Sequence, residues 1–293
     1  MDNLRGLYVP LVTPFTADGK IAVDALEELS HAAIAGGAAG IVALGTTAEV
    51  ATLDAEEQRT VVEACARVCW DLGATLIVGA GSNDTRRSVE DVHAFPDAAA
   101  VLVTVPYFTR PSEAGVIAHF AQLAADSPVP IVVYNIPYRT GQRLGVATLR
   151  EIAALPGIVG IKHAVGGIDE DTVDLLADPP PGFAILGGDD VFAPALLALG
   201  ADGAILASAH LGTRHYVELV AAWHRGDAVR ARTLGHALTS LASAAFAEPN
   251  PTVIKGVLHA RGLIPTPDVR LPLLPAQPGS IAAVLNRLDG LPG

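Results

Sequence analysis

Lysine is scarce: the 293 residues hold three, Lys20, Lys162 and Lys255, and arginine carries the rest of the positive charge. Lys and Arg total 19 against 31 Asp and Glu, for a formal net charge of −12. No basic run appears, so the clustered cations that bind phosphate backbones and anionic membrane surfaces are missing, and neither nucleic acid nor membrane is an expected partner. No apolar stretch reaches the roughly 20 residues of a spanning helix. The first residues, Met1-Asp2-Asn3-Leu4-Arg5-Gly6, lack the charged-then-apolar order of a signal peptide, and a cytoplasmic protein is expected. Only two cysteines occur, Cys65 and Cys69, four apart on a helical pattern, which reads as packed thiols rather than a redox pair. The nine histidines are scattered without a His-Glu-x-x-His spacing, so neither a metal nor a cofactor is expected.

What the chain has in quantity is apolar residues, 51% against 17% charged, which excludes disorder and can fill a large core. Short β-branched runs bounded by Gly and Pro alternate with helical periodicity. Strands are expected at Gly6 to Phe15, Gly40 to Gly45, Thr75 to Gly81, Ala99 to Pro106, Pro130 to Pro137, Gly157 to Ala164, Phe183 to Asp189 and Gly203 to Ala209. Helical patterns include Val23 to Ala35, Asp54 to Leu72 and Glu113 to Ala125, and the segment from Thr85 to Phe95 leaves room for only about three turns. Eight such units predict the α/β class and a closed (β/α)8 TIM barrel. A doubly wound open sheet fits less well, because no Gly-x-Gly-x-x-Gly follows the first strand. Residues 1–225 are expected to form the barrel and residues 226–293 a C-terminal helical appendage packed on it.

Lys162 stands out because it ends the apolar run Gly157-Ile158-Val159-Gly160-Ile161. A strand end of that kind withdraws the amine from bulk water, which favours the neutral, nucleophilic form; it also fits a lysine that merely snorkels to the surface. Catalytic groups of a barrel stand at the C-terminal strand ends. There the second strand offers Thr46 and Thr47, the fifth Tyr134 and then Arg139, the seventh Gly187-Gly188-Asp189-Asp190, and the eighth Ile205 and Ser208. A lysine attacking a ketone needs proton transfers that a tyrosine supplies, arginine matches a carboxylate, and glycine admits a small substrate closely.

These pieces resemble the dihydrodipicolinate synthase and N-acetylneuraminate lyase superfamily of pyruvate-dependent class I aldolases. The matching segments are Val12-Thr13-Pro14-Phe15, Gly45-Thr46-Thr47-Ala48-Glu49, Val105-Pro106-Tyr107, Tyr134-Asn135 with Arg139-Thr140-Gly141, Gly160-Ile161-Lys162, Glu248-Pro249-Asn250-Pro251 and Val269-Arg270-Leu271-Pro272. The resemblance implies a Schiff-base lyase. Lys162 would bond pyruvate, Tyr134 would act as acid and base, and Thr46 would pass protons to it. Thr47 would hold the pyruvate carboxylate, Arg139 would receive the carboxylate of an aldehyde substrate, and Gly188 and Ile205 would line the pocket through their backbones. Arg139 and the Glu-Pro-Asn-Pro segment point to the synthase branch, as does Ala164, where sialic acid lyases usually carry threonine.

The reaction so implied is 4-hydroxy-tetrahydrodipicolinate synthesis from pyruvate and aspartate semialdehyde. A 2-keto-3-deoxy sugar acid aldolase or dehydratase and a non-catalytic keto-acid-binding paralogue are the other readings. Four features depart from the usual pattern: Phe108 follows Tyr107 where a second relay tyrosine is usual, Ala48 replaces a glycine, His163 replaces a glutamate, and Arg86-Arg87 occupy a place where lysine-inhibited synthases tend to carry an acid. The resemblance also implies a homo-oligomer, a dimer or a tetramer.

Overall fold

A computed structural model describes residues 4–293. Its eight strands are β1 (Gly6–Pro10), β2 (Gly40–Ala43), β3 (Thr75–Ala80), β4 (Ala100–Thr104), β5 (Ile131–Asn135), β6 (Ile158–His163), β7 (Ala184–Gly187) and β8 (Gly203–Ile205), closed into a parallel barrel in that order. Their residues are almost all buried, as parallel strands covered on both faces must be. All eight expected strands are present. The first is shorter than expected: the Leu11 N–H makes its last bond to β2, at the Val42 carbonyl at 3.0 Å, after which Val12 N–H turns to His210 Nε2 at 3.2 Å and Phe15 bridges Ile21 in antiparallel fashion.

The chain divides into two compact units. One comprises Ile77–Ala204 with Leu4 and Arg5, and the other comprises Gly6–Leu76 with Ile205–Gly293. In the first, the register of β5 on β6 sets Tyr134 opposite Lys162, and that of β6 on β7 sets Lys162 opposite Leu186. Gly160 permits this approach, since a Cβ there would lie 2.7 Å from the Ala184 carbonyl oxygen. The helices of this unit are Thr85–His93, Glu113–Asp126, Val146–Ala153, Glu170–Ala177 and Ala193–Ala198, with one turn at Pro137–Thr140. The first of them has nine residues, as short as the sequence spacing allows.

In the second unit the helix Ala55–Leu72 starts where its capping signal predicts. Asp54 accepts from the Glu56 and Glu57 amides at 2.9 Å, and Glu57 accepts from the Asp54 amide at 3.0 Å. Cys65 and Cys69 are buried on this helix, and burial raises their thiols to about 12 and about 11, which makes them inert packing groups at neutral pH. After β8 come the helices Ala209–His224, Ala228–Ala245, Thr252–Ala260 and Pro278–Asp289. Among the described residues no helix is long and apolar enough to cross a membrane.

Candidate active site

Lys162 stands one residue before the end of β6, 7% exposed, with Nζ 4.3 Å from the ring centroid of Tyr134 on β5. The ring face holds the amino group by a cation–π contact while the phenol remains able to give and take a proton. Gly188, just beyond β7, leaves room for the lysine stem: a Cβ there would fall 2.8 Å from Lys162 Cγ and 3.0 Å from Cε. The Gly188 N–H is already taken by the His163 carbonyl at 2.8 Å and is not available to a ligand. Asp189 follows and accepts from the Gly166 amide at 2.6 Å. Burial raises the Asp189 carboxyl above the usual range, while the Gly166 amide and the charge of Lys162 pull it back.

His163 takes no part in this cluster. Successive strand residues point to opposite faces, and the His163 ring lies against the helix Glu170–Ala177, its Nε2 2.9 Å from Thr172 Oγ1. Thr172 gives its own proton to Asp169 at 2.6 Å, so His163 donates from Nε2. Burial holds the His163 imidazole down at about 4, uncharged at neutral pH. The glutamate-to-histidine departure is therefore a change in the packing behind the strand. Arg139 and Tyr138 lie on the exposed turn after β5, the guanidinium 5.9 Å from the Tyr138 ring. Tyr107 is half-exposed and Phe108 is 85% exposed with φ +67, in the loop that leaves β4.

In the other unit, Thr46 and Thr47 form a single 3-10 turn, Thr46–Ala48, after β2. Thr46 is half-buried and Thr47 is buried, its Oγ1 accepting from Asn250 Nδ2 at 2.9 Å. Ala48 keeps an ordinary backbone, with no positive φ, so the missing glycine costs the turn nothing; Glu49 takes the left-handed conformation instead, at φ 57. Ile205 ends β8 and is fully buried.

Sequence reasoning overlooked the group behind this turn. Glu49 Oε1 is 2.8 Å from Lys255 Nζ, and both side chains are essentially inaccessible. Lys255 also donates to the Thr13 carbonyl at 2.9 Å and sits 4.1 Å over the Phe15 ring. Burial lowers the Lys255 ammonium and the Glu49 carboxylate opposes it. The Arg270 amide reaches Glu49 Oε2 at 2.8 Å, and its guanidinium makes a fork on Glu57 at 2.7 and 2.5 Å, holding that carboxyl below its usual range. The available signal was Lys255 itself, a lysine set among Val253, Ile254, Val257 and Leu258, where an unpaired charge is not tolerated.

The model of the dihydrodipicolinate synthetase family matches residues 3–288. The chain belongs to that family. A 4-hydroxy-tetrahydrodipicolinate synthase of Salinibacter ruber is 41% identical over 292 residues, covering 98% of this chain and 96% of the relative. The dihydrodipicolinate synthase of Acinetobacter baumannii, chloride-inhibited and solved with pyruvate, superposes with a TM-score of 0.93 at 35% identity, covering 98% of each chain. A monomeric dihydrodipicolinate synthase variant superposes at 0.94 with 30% identity, over 98% of this chain and 97% of that one. As a family member the chain is a lyase on a TIM barrel.

Proposed function

We propose that this dihydrodipicolinate synthetase family member condenses pyruvate with aspartate semialdehyde through a Schiff base on Lys162. The reading rests on one observation above all: Lys162 is buried at a strand end with its amine against Tyr134 and its stem in a groove that only glycine at 188 allows. Lys162 gives up a proton to solvent, and the free amine adds to the pyruvate carbonyl carbon. Tyr134 protonates the departing hydroxyl, and loss of one water leaves the imine. The Tyr134 phenolate so formed takes a methyl proton to give an enamine, whose carbon attacks the aldehyde while Tyr134 returns that proton to the new alkoxide. Thr46 relays protons to Tyr134, Thr47 binds the pyruvate carboxylate, and the Arg139 guanidinium, exposed to solvent, receives the carboxylate of the second substrate. Gly188 and Ile205 line the pocket.

Incubating the protein with pyruvate and aspartate semialdehyde is expected to give product. Undetectable product, with cleavage of 2-keto-3-deoxygluconate in its place, would overturn the choice of second substrate. Phe108 is the residue that favours that sugar-acid reading, since its ring has no hydroxyl to complete a relay through a second tyrosine. Phe108→Tyr is expected to raise synthase turnover, and an unchanged rate would place Phe108 outside the relay. We also assign a homo-oligomer, because Phe108 and Tyr138 present bare aromatic surface beside the strand ends. A single monomer mass in light scattering at micromolar concentration would contradict that assignment.

A further inference from the structure

The residues behind Thr47 form a set that the reaction chemistry does not use. Glu49, at φ 57, closes the Thr46–Ala48 turn in a conformation that a non-glycine side chain keeps only where its surroundings impose it. Those surroundings converge on Lys255. Its Nζ grips one end of the turn directly, through Glu49 Oε1 at 2.8 Å. It holds the same C-terminal end a second time through the Thr13 carbonyl at 2.9 Å, because the Thr13 hydroxyl in turn donates to the Ala48 carbonyl at 2.8 Å. A buried ion pair of this kind adds little net stability over a well-packed apolar pair, so stability alone does not account for it. What it does fix is geometry.

The same holds for Asn250. Its Nδ2 donates to Thr47 Oγ1 at 2.9 Å. A hydroxyl has one proton, and with Oγ1 accepting from Asn250 that proton is left for another acceptor. A carboxylate oxygen is such an acceptor.

We propose that Asn250, Lys255 and Glu49 are positioning residues that set the Thr47 backbone and hydroxyl to receive the carboxylate of the keto acid. The proposal rests on the reading of Thr47 and Lys162 given above. Its test needs pyruvate alone: the pyruvate concentration that half-saturates the borohydride-trapped adduct on Lys162. Asn250→Asp replaces the donor by an acceptor, so the Thr47 hydroxyl turns towards the new carboxylate. Half-saturating pyruvate is expected to rise about 10- to 100-fold, with the adduct yield at saturation and the Tm close to wild type. The paired change Glu49→Leu with Lys255→Met removes both buried charges together and is expected to fold and to show the same rise. Should it fail to fold, Thr13→Val, which removes only the tie to Ala48, carries the test in its place. Arg230→Ala, which breaks the Arg230–Glu218 pair elsewhere in the same unit, serves as control. A folded Asn250→Asp with wild-type half-saturation overturns the role of Asn250, an unshifted paired variant overturns that of Lys255 and Glu49, and an unshifted Thr13→Val overturns the hold of Lys255 on the turn through Thr13 and Ala48. Absence of any adduct in the wild type would overturn the reading on which the proposal stands.

Discussion

At the scale of single residues, the groove at position 188 is the demand nearest the reactive lysine. A methyl group there would sit 2.8 Å from Lys162 Cγ and 2.9 Å from Ala164 Cβ, closer than carbon atoms approach. Gly188→Ala is expected to fold, since the site lies just beyond a strand end, but to displace the lysine and slow adduct formation about 100-fold. Stopped trapping with borohydride measures that rate, and a wild-type rate would mean that the stem has slack. Tyr134→Phe keeps the ring against Nζ and removes the phenol. Turnover is expected to fall about 100- to 10,000-fold, in the range that general acid–base groups contribute, with little loss of pyruvate affinity. A steady-state kcat and KM pair separates the two effects.

At the scale of elements, the helix Ala55–Leu72 depends on its cap. Asp54→Ala leaves two amides without partners and is expected to cost about 1 kcal/mol, read as a lower midpoint in urea. Glu57→Gln should cost more, because Glu57 serves both the cap and the Arg270 fork. Elements were the most legible part of the sequence. The strands announced themselves because a parallel strand buried on both faces is a continuous apolar run, and the long helix because its capping box is local chemistry. The stop of β1 at Pro10 was not legible, since it depends on His210, two hundred positions away in the chain. The position of His163 was legible: strand alternation alone places it on the face opposite Lys162. The strand-end residues Lys162, Tyr134 and Gly188 were recoverable from motif and position, whereas the Lys255–Glu49–Arg270 group was not, because its members come from three distant segments joined only by folding.

At the scale of the whole molecule, three histidines set the acid limit, His119 and His163 buried and His210 half-buried. Burial holds His119, His163 and His210 each at about 4. At neutral pH their imidazoles are uncharged both folded and unfolded, so the stability is fully present. Below about 6.5 the unfolded chain takes up protons that the folded chain refuses until about 4, and stability is lost across that interval. Urea denaturation between these pH values is expected to show the fall, and His163→Gln to reduce it by up to about 3 kcal/mol. An equal fall in the variant would remove His163 from the account.

The central claim is that Lys162 forms a Schiff base with a keto acid. Borohydride reduction in the presence of pyruvate, followed by peptide mass spectrometry, tests it most directly. The account predicts one reduced pyruvate on the peptide containing Lys162, none on those containing Lys20 or Lys255, and none anywhere in Lys162→Ala. An unmodified Lys162 in the folded wild-type protein, or an adduct that survives in Lys162→Ala, would contradict it.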